Sequence, residues 1–281
     1  MAFPGSERAS EVATVAVRDL EGGLVRLRSG EITNAQFRPA RTVLGVYGQR
    51  QPEQYMVRVR IPYGRLVAIQ LRRLAEIARQ YGNGAGHLTT RQNMQLHELK
   101  LDSAPDVLRS LSEVGLTSLQ AGGNSVRNIA ACPLAGVCRD EAFDITPYAD
   151  LLNRYYLGNP RVKSLPRKVK IGLSGCARDC AFSAINDLGA IAVTRKENGS
   201  VRRGFRVVIG GGLGTIPMPA QLISDFLPEE ELLPTCEALI RLFDRTGDRK
   251  NKQRARFKFV LHRLGLEEVA RLLAEERQRI S

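Results

Sequence analysis

The sequence predicts an α+β protein, because strand and helix patterns follow one another in short runs. Residues 55–62, YMVRVRIP, alternate apolar and polar side chains as a half-buried strand does, and residues 65–82 place apolar side chains at helical spacing. Residues 87–99 again have strand character, and a helix is predicted from about Ala104 to Val114. This strand–helix–strand–helix order predicts a small α+β sandwich with antiparallel strands.

Two domains are predicted after an irregular start. Residues 1–36 include the stretch LEGGLVRLRSGEIT, which predicts a short hairpin within an irregular segment. The first domain is expected to cover residues 37–121 and the second residues 122–281, because glycine becomes frequent and cysteine turns begin beyond Gly122. With 281 residues and 43% hydrophobic content, the chain is long enough for cores of this size.

The second domain is expected to mix strands and helices. A strand over RKVKIGLSG leads into a cysteine turn, and the strands LGAIAVTRK and GFRVVIGGG are joined by a turn at ENGS. Helices are predicted over about Pro147–Tyr156, Glu229–Asp244 and Leu266–Arg279.

The net charge of +13 indicates an anionic partner. Nucleic acid is the less favoured partner, since the basic residues are scattered and few aromatic residues lie between them. An anionic cofactor, an anionic substrate or an acidic redox partner explains the charge equally well. The sequence has no apolar run of membrane-spanning length and no secretory signal at its start, which predicts a cytoplasmic location.

Four of the five cysteines form two close pairs, Cys132-x5-Cys138 and Cys176-x3-Cys180. Five cysteines in a chain of this size do not resemble a disulfide framework. Each pair lies in a glycine- or proline-containing turn, where curvature lets neighbouring sulfurs converge, and thiolates at such spacing suit an iron–sulfur cluster. A structural zinc site and unrelated core cysteines are the alternatives, although C-x5-C is wider than the usual zinc spacing.

Basic residues surround both cysteine turns. Lys168 and Lys170 share one face if the segment before the second pair is extended, and they are then expected to converge on an anion or deliver protons to it. A solvated edge strand is the alternative. Arginines that can bind carboxylates or small oxyanions flank the same turns: Arg58, Arg60, Arg91 and Arg127.

The stretch GGGLG at residues 210–214 does not fit a dinucleotide-binding loop, because Thr215 stands where the third glycine is required. Close approach of the backbone to a bulky ligand and a plain turn are both consistent with it. The three histidines, His87, His97 and His262, lack metal-ligand spacing and are expected to be structural or hydrogen-bonding residues.

Several stretches, in order along the chain, resemble the sirohaem-dependent sulfite and nitrite reductases: YGQRQPEQYMVRVRIPYG, HLTTRQNMQLH, VRNIAACPLAG, LPRKVKIGLSGC, VIGGGLG and DRKNKQRARFKFVL. The resemblance covers about residue 40 to the end of the chain. It implies a ferredoxin-like half domain followed by an α/β domain that holds sirohaem and a [4Fe–4S] cluster. It also implies six-electron reduction of sulfite to sulfide, or of nitrite to ammonia.

The resemblance also implies residue roles. Cluster ligands are Cys132, Cys138, Cys176 and Cys180, and Cys180 bridges to the sirohaem iron. The substrate oxyanion is surrounded by Arg58, Arg127, Lys168 and Lys170. Sirohaem contacts are Arg60, Arg91, Gln95, His97, Gly211, Gly212, Arg256 and Lys258. His87 stands where many relatives carry an arginine. Two lysines suit a dianion and favour sulfite over nitrite.

Longer members of the family contain two homologous halves, whereas this chain has one. A single-repeat enzyme that pairs with itself or with a homologous half, and the first half of a longer polypeptide, are both consistent with that length. The electron donor is expected to be an acidic ferredoxin or a flavoprotein subunit. The alternatives are a precorrin-3B synthase-like enzyme and a non-enzymatic basic [4Fe–4S] or zinc protein in electron transfer or nucleic-acid binding.

Overall fold

The computed structural model describes the backbone of residues 6–280, and side chains within that range apart from residues 6–8 and 10. The chain divides into two compact units. The first unit contains the residues up to 128 together with 153–163, and the second contains 129–152 together with the residues from 164 onward. The predicted boundary near Gly122 stays a prediction.

The first unit is built on a four-stranded antiparallel sheet. Its strands are β1 (Val46–Gly48), β2 (Tyr55–Val59), β3 (Gly86–Leu88) and β4 (Met94–Leu99), in the order β1-β2-β4-β3. Its main helices are α1 (Ser6–Arg28), α2 (Asn34–Val43), α3 (Ala68–Tyr81) and α4 (Ala104–Ser112). The order of β2, α3, β4 and α4 is the predicted one, and the predicted α+β class with an antiparallel sheet is confirmed.

The irregular segment and hairpin predicted for residues 1–36 are wrong for residues 6–28 and 34–36, which are helical, whereas residues 29–33 are irregular and residues 1–5 lie outside the described residues. Residues 6–28 form α1, and the buried Leu20 and Leu24 lie one turn apart on the face that packs into the core. The pair Gly22–Gly23 indicated a hairpin, but in α1 Gly23 allows close packing. A Cβ at Gly23 would lie 2.1 Å from the ring of Phe37. Thr33 begins α2 with a capping box that it completes with Gln36.

The second unit contains a five-stranded mixed sheet. Its strands are β5 (Ala130–Ala131), β6 (Ile171–Ser174), β7 (Leu188–Glu197), β8 (Ser200–Ile209) and β9 (Gln221–Pro228), in that spatial order. The first three strands are parallel to one another, and β7, β8 and β9 are antiparallel. The predicted turn at ENGS joins β7 to β8, with positive φ at Asn198 and Gly199 as a tight hairpin requires.

Four further helices follow the chain: α5 (Thr146–Tyr156), α6 (Leu232–Thr246), α7 (Phe257–Leu264) and α8 (Leu266–Gln278). The division between the two units falls within α5. The sequence patterns predicted three of these helices but neither α7 nor the edge strand β9. Within residues 6–280, no helix is both long enough and apolar enough to cross a membrane.

Candidate functional site

The two cysteine turns begin at the same edge of the second unit's sheet. Cys132 follows β5 directly, and Cys176 lies just beyond β6, the strand that pairs with β5 in parallel. Because parallel strands end at the same edge, the turns that follow them lie side by side. The Cys132 amide donates to the Leu173 carbonyl at 3.0 Å, and the Ala142 amide donates to the Gly175 carbonyl at 2.8 Å. The topology therefore brings together the two pairs that the sequence keeps apart.

The cysteines are free thiols in a partly buried site. Cys132 and Cys176 are each 5% exposed, and Cys138 and Cys180 are half-buried. Burial raises the pKa of Cys132, and the nearby thiols of Cys180 and Cys176 raise it further. Crowded thiols of this kind become thiolates when iron supplies positive charge.

A carboxylate inside the second cysteine turn determines its shape. Asp179 has a left-handed backbone with φ 51°, and its side chain accepts hydrogen bonds from the hydroxyls of Ser174 and Ser183, each at 2.7 Å. The Ser183 amide also donates to it at 2.8 Å. These bonds connect the turn that carries Cys180 to the end of β6, so Asp179 positions the Cys180 turn.

The segment with the two lysines runs directly into β6. Val169 is buried whereas Lys168 and Lys170 are half-buried, so the two lysines lie on the opposite side of the segment from Val169. The Lys170 amide donates to the Asp187 carboxylate at 2.7 Å. That carboxylate is 0% exposed and forms an ion pair with Arg256, whose Nη2 lies 2.8 Å from Oδ2.

The backbone of residues 210–212 packs closely against other parts of the protein. A Cβ at Gly211 would meet the Ala184 carbonyl at 2.2 Å, which explains why glycine is needed there. Lys258 is buried and its Nζ donates to the carbonyls of Gly212 at 3.3 Å and of Ile216 at 2.5 Å. Burial lowers the pKa of Lys258, and the nearby Arg256 lowers it further. These contacts favour a supporting role for Lys258, Gly211 and Gly212.

The predicted arginines of the first unit lie close to one another. Arg58 and Arg127 both donate to the Ala121 carbonyl, at 3.3 and 2.6 Å. Arg60 is 1% exposed, and burial lowers its pKa to about 9, with Arg91 and Arg127 contributing. Grouped guanidinium groups whose hydrogen bonds go to carbonyls retain their positive charge, so they favour an anion nearby.

Arg58 is positioned by the sheet of the first unit. In register it stands opposite Gln95, which in turn stands opposite His87. With the Gln95 amide oxygen turned toward it, Arg58 donates from Nε at 3.1 Å and from Nη2 at 2.6 Å. Its guanidinium also lies 4.9 Å from the ring centre of Tyr47.

His97 lies two residues beyond Gln95 on the same face of β4, and its ring centre is 6.1 Å from that of His87. Burial lowers the pKa of His97, and the nearby His87 lowers it further. His97 is therefore a neutral hydrogen-bonding group at pH 7. Arg91 lies in the turn before β4 and donates to the Asn128 carbonyl at 2.5 Å.

The donor set of the second unit fits an iron–sulfur cluster, since four cysteines occupy two adjacent turns and three of their thiols interact. Within residues 6–280, no three His, Cys, Asp or Glu side chains are grouped closely enough to hold a single metal ion, as distinct from a cluster of several irons. The second unit has two cysteine turns at one edge of its mixed sheet, and the first unit has a group of neighbouring arginines. These features are typical of a basic iron–sulfur protein.

Two sequence families match this chain. Residues 122–280 match the "Nitrite and sulphite reductase 4Fe-4S domain", and residues 47–114 match the "Nitrite/Sulfite reductase ferredoxin-like half domain". The first match covers more than half of the chain, so the chain belongs to the nitrite and sulfite reductase family. The family binds sirohaem and a [4Fe–4S] cluster, as the sequence resemblance implied.

Some relatives are named as nitrite reductases and others as sulfite reductases. The chain is 35% identical over 246 residues to an assimilatory ferredoxin-dependent nitrite reductase of Haloferax mediterranei, covering 83% of this chain and 42% of the relative. It is 33% identical over 226 residues to sulfite reductase (ferredoxin) 1 of Mycolicibacterium paratuberculosis, covering 80% and 40%. The chain thus spans less than half the length of either relative.

Solved structures agree with the fold. The Mycobacterium tuberculosis NirA protein superposes with a TM-score of 0.81 at 31% identity, over 88% of this chain and 48% of that chain. Dissimilatory sulfite reductase I, at 13% identity and a TM-score of 0.66, shares the fold over 79% of this chain and 69% of its own. Neither the precorrin-3B synthase alternative nor the non-enzymatic alternative is favoured by these relatives.

Three residues that contact or position predicted site residues escaped the sequence patterns. Asp187 contacts Arg256, Asp179 shapes the second cysteine turn, and Tyr47 packs against Arg58. Asp179 offered one local signal, because an aspartate between two cysteines of a tight turn can bond to nearby amides and hydroxyls. Asp187 offered none, because its partner Arg256 is 69 residues away in the chain.

Proposed function

We propose that this chain is an oxidoreductase of the sirohaem type that reduces a small oxyanion by six electrons, sulfite to sulfide or nitrite to ammonia. The observation that carries the proposal is the continuous path of one segment. Lys168 and Lys170 precede β6, and β6 ends at the turn with Cys176 and Cys180. One short stretch thus combines anion-binding side chains with cluster-binding thiols.

The four cysteines of the two turns are the residues that would hold the cluster, and Cys180 is the one that would also hold the sirohaem, as the family resemblance implies. The burial of Cys132 and Cys176 supports this role, because buried thiolates bound to iron are shielded from solvent and oxidants. When bound, the two cofactors supply the electron-transfer chemistry, and the protein supplies orientation and electrostatics.

The half-buried cations are the proposed anion-binding groups. The second unit offers Lys168 and Lys170, and the first offers Arg58 and Arg127; the family resemblance implies that each of them binds the substrate oxyanion. Fixed cations in a partly desolvated site stabilise negative charge more strongly than water does. Each reduction step also consumes protons, and the lysine ammonium groups are suitable donors through ordered water.

Further contacts are proposed for the carboxylates of sirohaem. Arg91, Gln95 and His97 lie on or beside β4, where a guanidinium, an amide and a neutral imidazole offer hydrogen bonds of different strength. Arg60 and Arg256 have partners within the protein, so we assign them to supporting the residues that bind anions.

Anaerobic purification followed by absorption spectroscopy tests the cofactor assignment. A Soret-like band, a red-region band and about four irons in the cluster per chain are expected. A colourless protein that contains stoichiometric zinc would contradict the proposal. Turnover with reduced methyl viologen is then measured for sulfite and nitrite separately, and we expect the larger kcat/KM with sulfite, since two lysines suit a dianion.

The anion-binding lysines are tested by Lys168→Ala and Lys170→Ala. Each is expected to lower kcat/KM about 100-fold while the iron content stays unchanged, because a fixed cation is worth a few kcal/mol at a developing negative charge. Lys196→Ala is the matched control, because Lys196 is exposed on β7 of the same unit. Wild-type turnover in both lysine variants would show that the anion site is wrongly assigned.

A ferredoxin is the proposed electron donor, because both relatives above are named for ferredoxin and the net charge of +13 suits an acidic carrier. Turnover supported by reduced ferredoxin should fall steeply as ionic strength rises, whereas methyl viologen turnover should not. We also propose that the functional protein pairs with a second copy or a homologous half. A measured mass in solution tests that proposal directly.

A further inference from the structure

A polar cavity lies in the first unit, and none of its lining residues except Tyr47 is part of the candidate site described above. Its volume is about 470 Å³, and its walls come from α2 and from the chain that joins β1 to β2. Three arginines and one glutamate line it: Arg38, Arg41, Arg50 and Glu53. The charge of the wall is therefore strongly positive, and the reduction chemistry proposed above makes no use of it.

Arg41 is a buried cation in this wall, with only 5% of its surface exposed. Its Nη1 donates to the Val46 carbonyl at 3.2 Å and its Nη2 to the Asn34 side chain at 3.3 Å. The guanidinium carbon lies 5.0 Å from the ring centre of Tyr55, which fixes the plane of the group. Its Nε is buried and has no hydrogen-bond partner among the residues that the structure describes.

A buried guanidinium N–H without an acceptor indicates that an acceptor from outside the chain completes the site. Burial lowers the pKa of Arg41, and the neighbouring Arg38 lowers it further, so bringing an anion to the cavity relieves both effects. Gln54 also lines the cavity, and its buried Oε1 has no hydrogen-bond donor among the described residues; with the amide turned over, Nε2 would take that position and donate to an anion.

The other two arginines approach from different segments. Arg38 lies three residues before Arg41 and so shares its face of α2, while Arg50 lies on the connection after β1. Both are exposed, and neither takes part in an ion pair within the part of the chain that the structure describes. Guanidinium groups that approach from separate segments suit a tetrahedral anion, which has four acceptor oxygens, better than a planar carboxylate.

We propose that this cavity binds a tetrahedral inorganic oxyanion of the sulfate or phosphate type, with Arg41 as the buried anchor and Arg38 and Arg50 as outer contacts. Which anion the Gln54 amide favours depends on its orientation. In one orientation its oxygen accepts from a protonated phosphate oxygen, which sulfate lacks at neutral pH, and in the other its nitrogen donates to either anion.

Calorimetric titration of the holoprotein with sulfate and with phosphate, against chloride at equal ionic strength, tests the proposal. Arg38→Gln and Arg50→Gln should each raise the Kd about tenfold, consistent with the loss of one charge-assisted hydrogen bond. Arg41→Gln should abolish binding. Arg72→Gln, an exposed arginine of α3 that does not line the cavity, should bind as the wild type does. The anion with the lower Kd identifies the ligand.

Crystals soaked in selenate locate the site through anomalous scattering, which matters because Tyr47 both lines this cavity and contacts Arg58. A selenate peak beside Arg41 that persists in Arg58→Gln supports a separate site. A peak only beside Arg58, or unchanged affinity in the Arg38 and Arg50 variants, overturns it. These two exposed variants decide the outcome if Arg41→Gln does not fold by circular dichroism.

Discussion

Replacing Asp187 by asparagine should destabilise the second unit far more than its small change in shape implies. Asp187 accepts from Arg256 Nη2 at 2.8 and 2.9 Å and from Nε at 3.1 Å, and the two side chains are 0% and 10% exposed. The substitution leaves the guanidinium buried and uncompensated. Breaking a buried ion pair from one side costs about 3–5 kcal/mol. For a unit of this size that corresponds to a Tm lower by roughly 6–20 °C.

The double variant Asp187→Asn with Arg256→Met separates the charge effect from the loss of packing. Removing both charges leaves no unpaired ion, so the double variant should recover at least about 2 kcal/mol relative to Asp187→Asn alone. Urea unfolding followed by circular dichroism measures each free energy of unfolding.

Asp225→Asn is the control for this experiment, since the Arg206–Asp225 pair of the same unit spans 3.7 Å and is mostly exposed. It should change stability by no more than about 1 kcal/mol. If Asp187→Asn also costs less than about 1 kcal/mol, or if the double variant is no more stable than the single one, the buried pair does not organise this unit.

Two further predictions concern the units separately. His97 should titrate below its ordinary pKa of 6.5 by NMR, because burial and His87 lower the folded value. The unfolded chain then binds the proton more readily, so this contribution to stability is present above pH 6.5 and is lost as the pH falls toward the folded pKa; a His97 pKa above 6.5 would refute this. Asp179→Ala removes the acceptor for Ser174 and Ser183, and should lower both Tm and the iron content per purified chain. Full iron content in that variant would contradict the positioning role.

Much of the fold was predictable from local patterns. Residues 55–62 and 65–82 alternate with the periods of a strand and a helix, and both elements form there. The Asn198–Gly199 turn follows from backbone chemistry alone. The N-terminal helix α1 was not predictable in the same way, since the glycine pair argued for a turn. Its close packing against Phe37 is a tertiary contact that no local pattern contains.

The candidate site also combines features that local sequence predicts with features that depend on distant contacts. The cysteine spacing indicated a cluster, and the pairing of β5 with β6 supplies the physical reason that both turns lie at one sheet edge. The roles of the cations depended on distant partners. Arg256 and Lys258 look alike in the sequence, yet one forms a buried ion pair and the other bonds to the carbonyls of the glycine stretch.

The contacts of Arg256 and Lys258 within the second unit bear on which of its cations can bind an anion. A guanidinium held by the Asp187 carboxylate is already neutralised, and an ammonium group bonded to three carbonyls would have to break those bonds to reach a ligand. Lys168 and Lys170 are half-buried beside the strand that leads to Cys176. Because Asp187 also accepts from the Lys170 amide, the buried pair holds the backbone of the lysine segment in place. Loss of that pair should therefore weaken anion binding through the position of Lys170, even though neither Asp187 nor Arg256 is proposed to touch the anion.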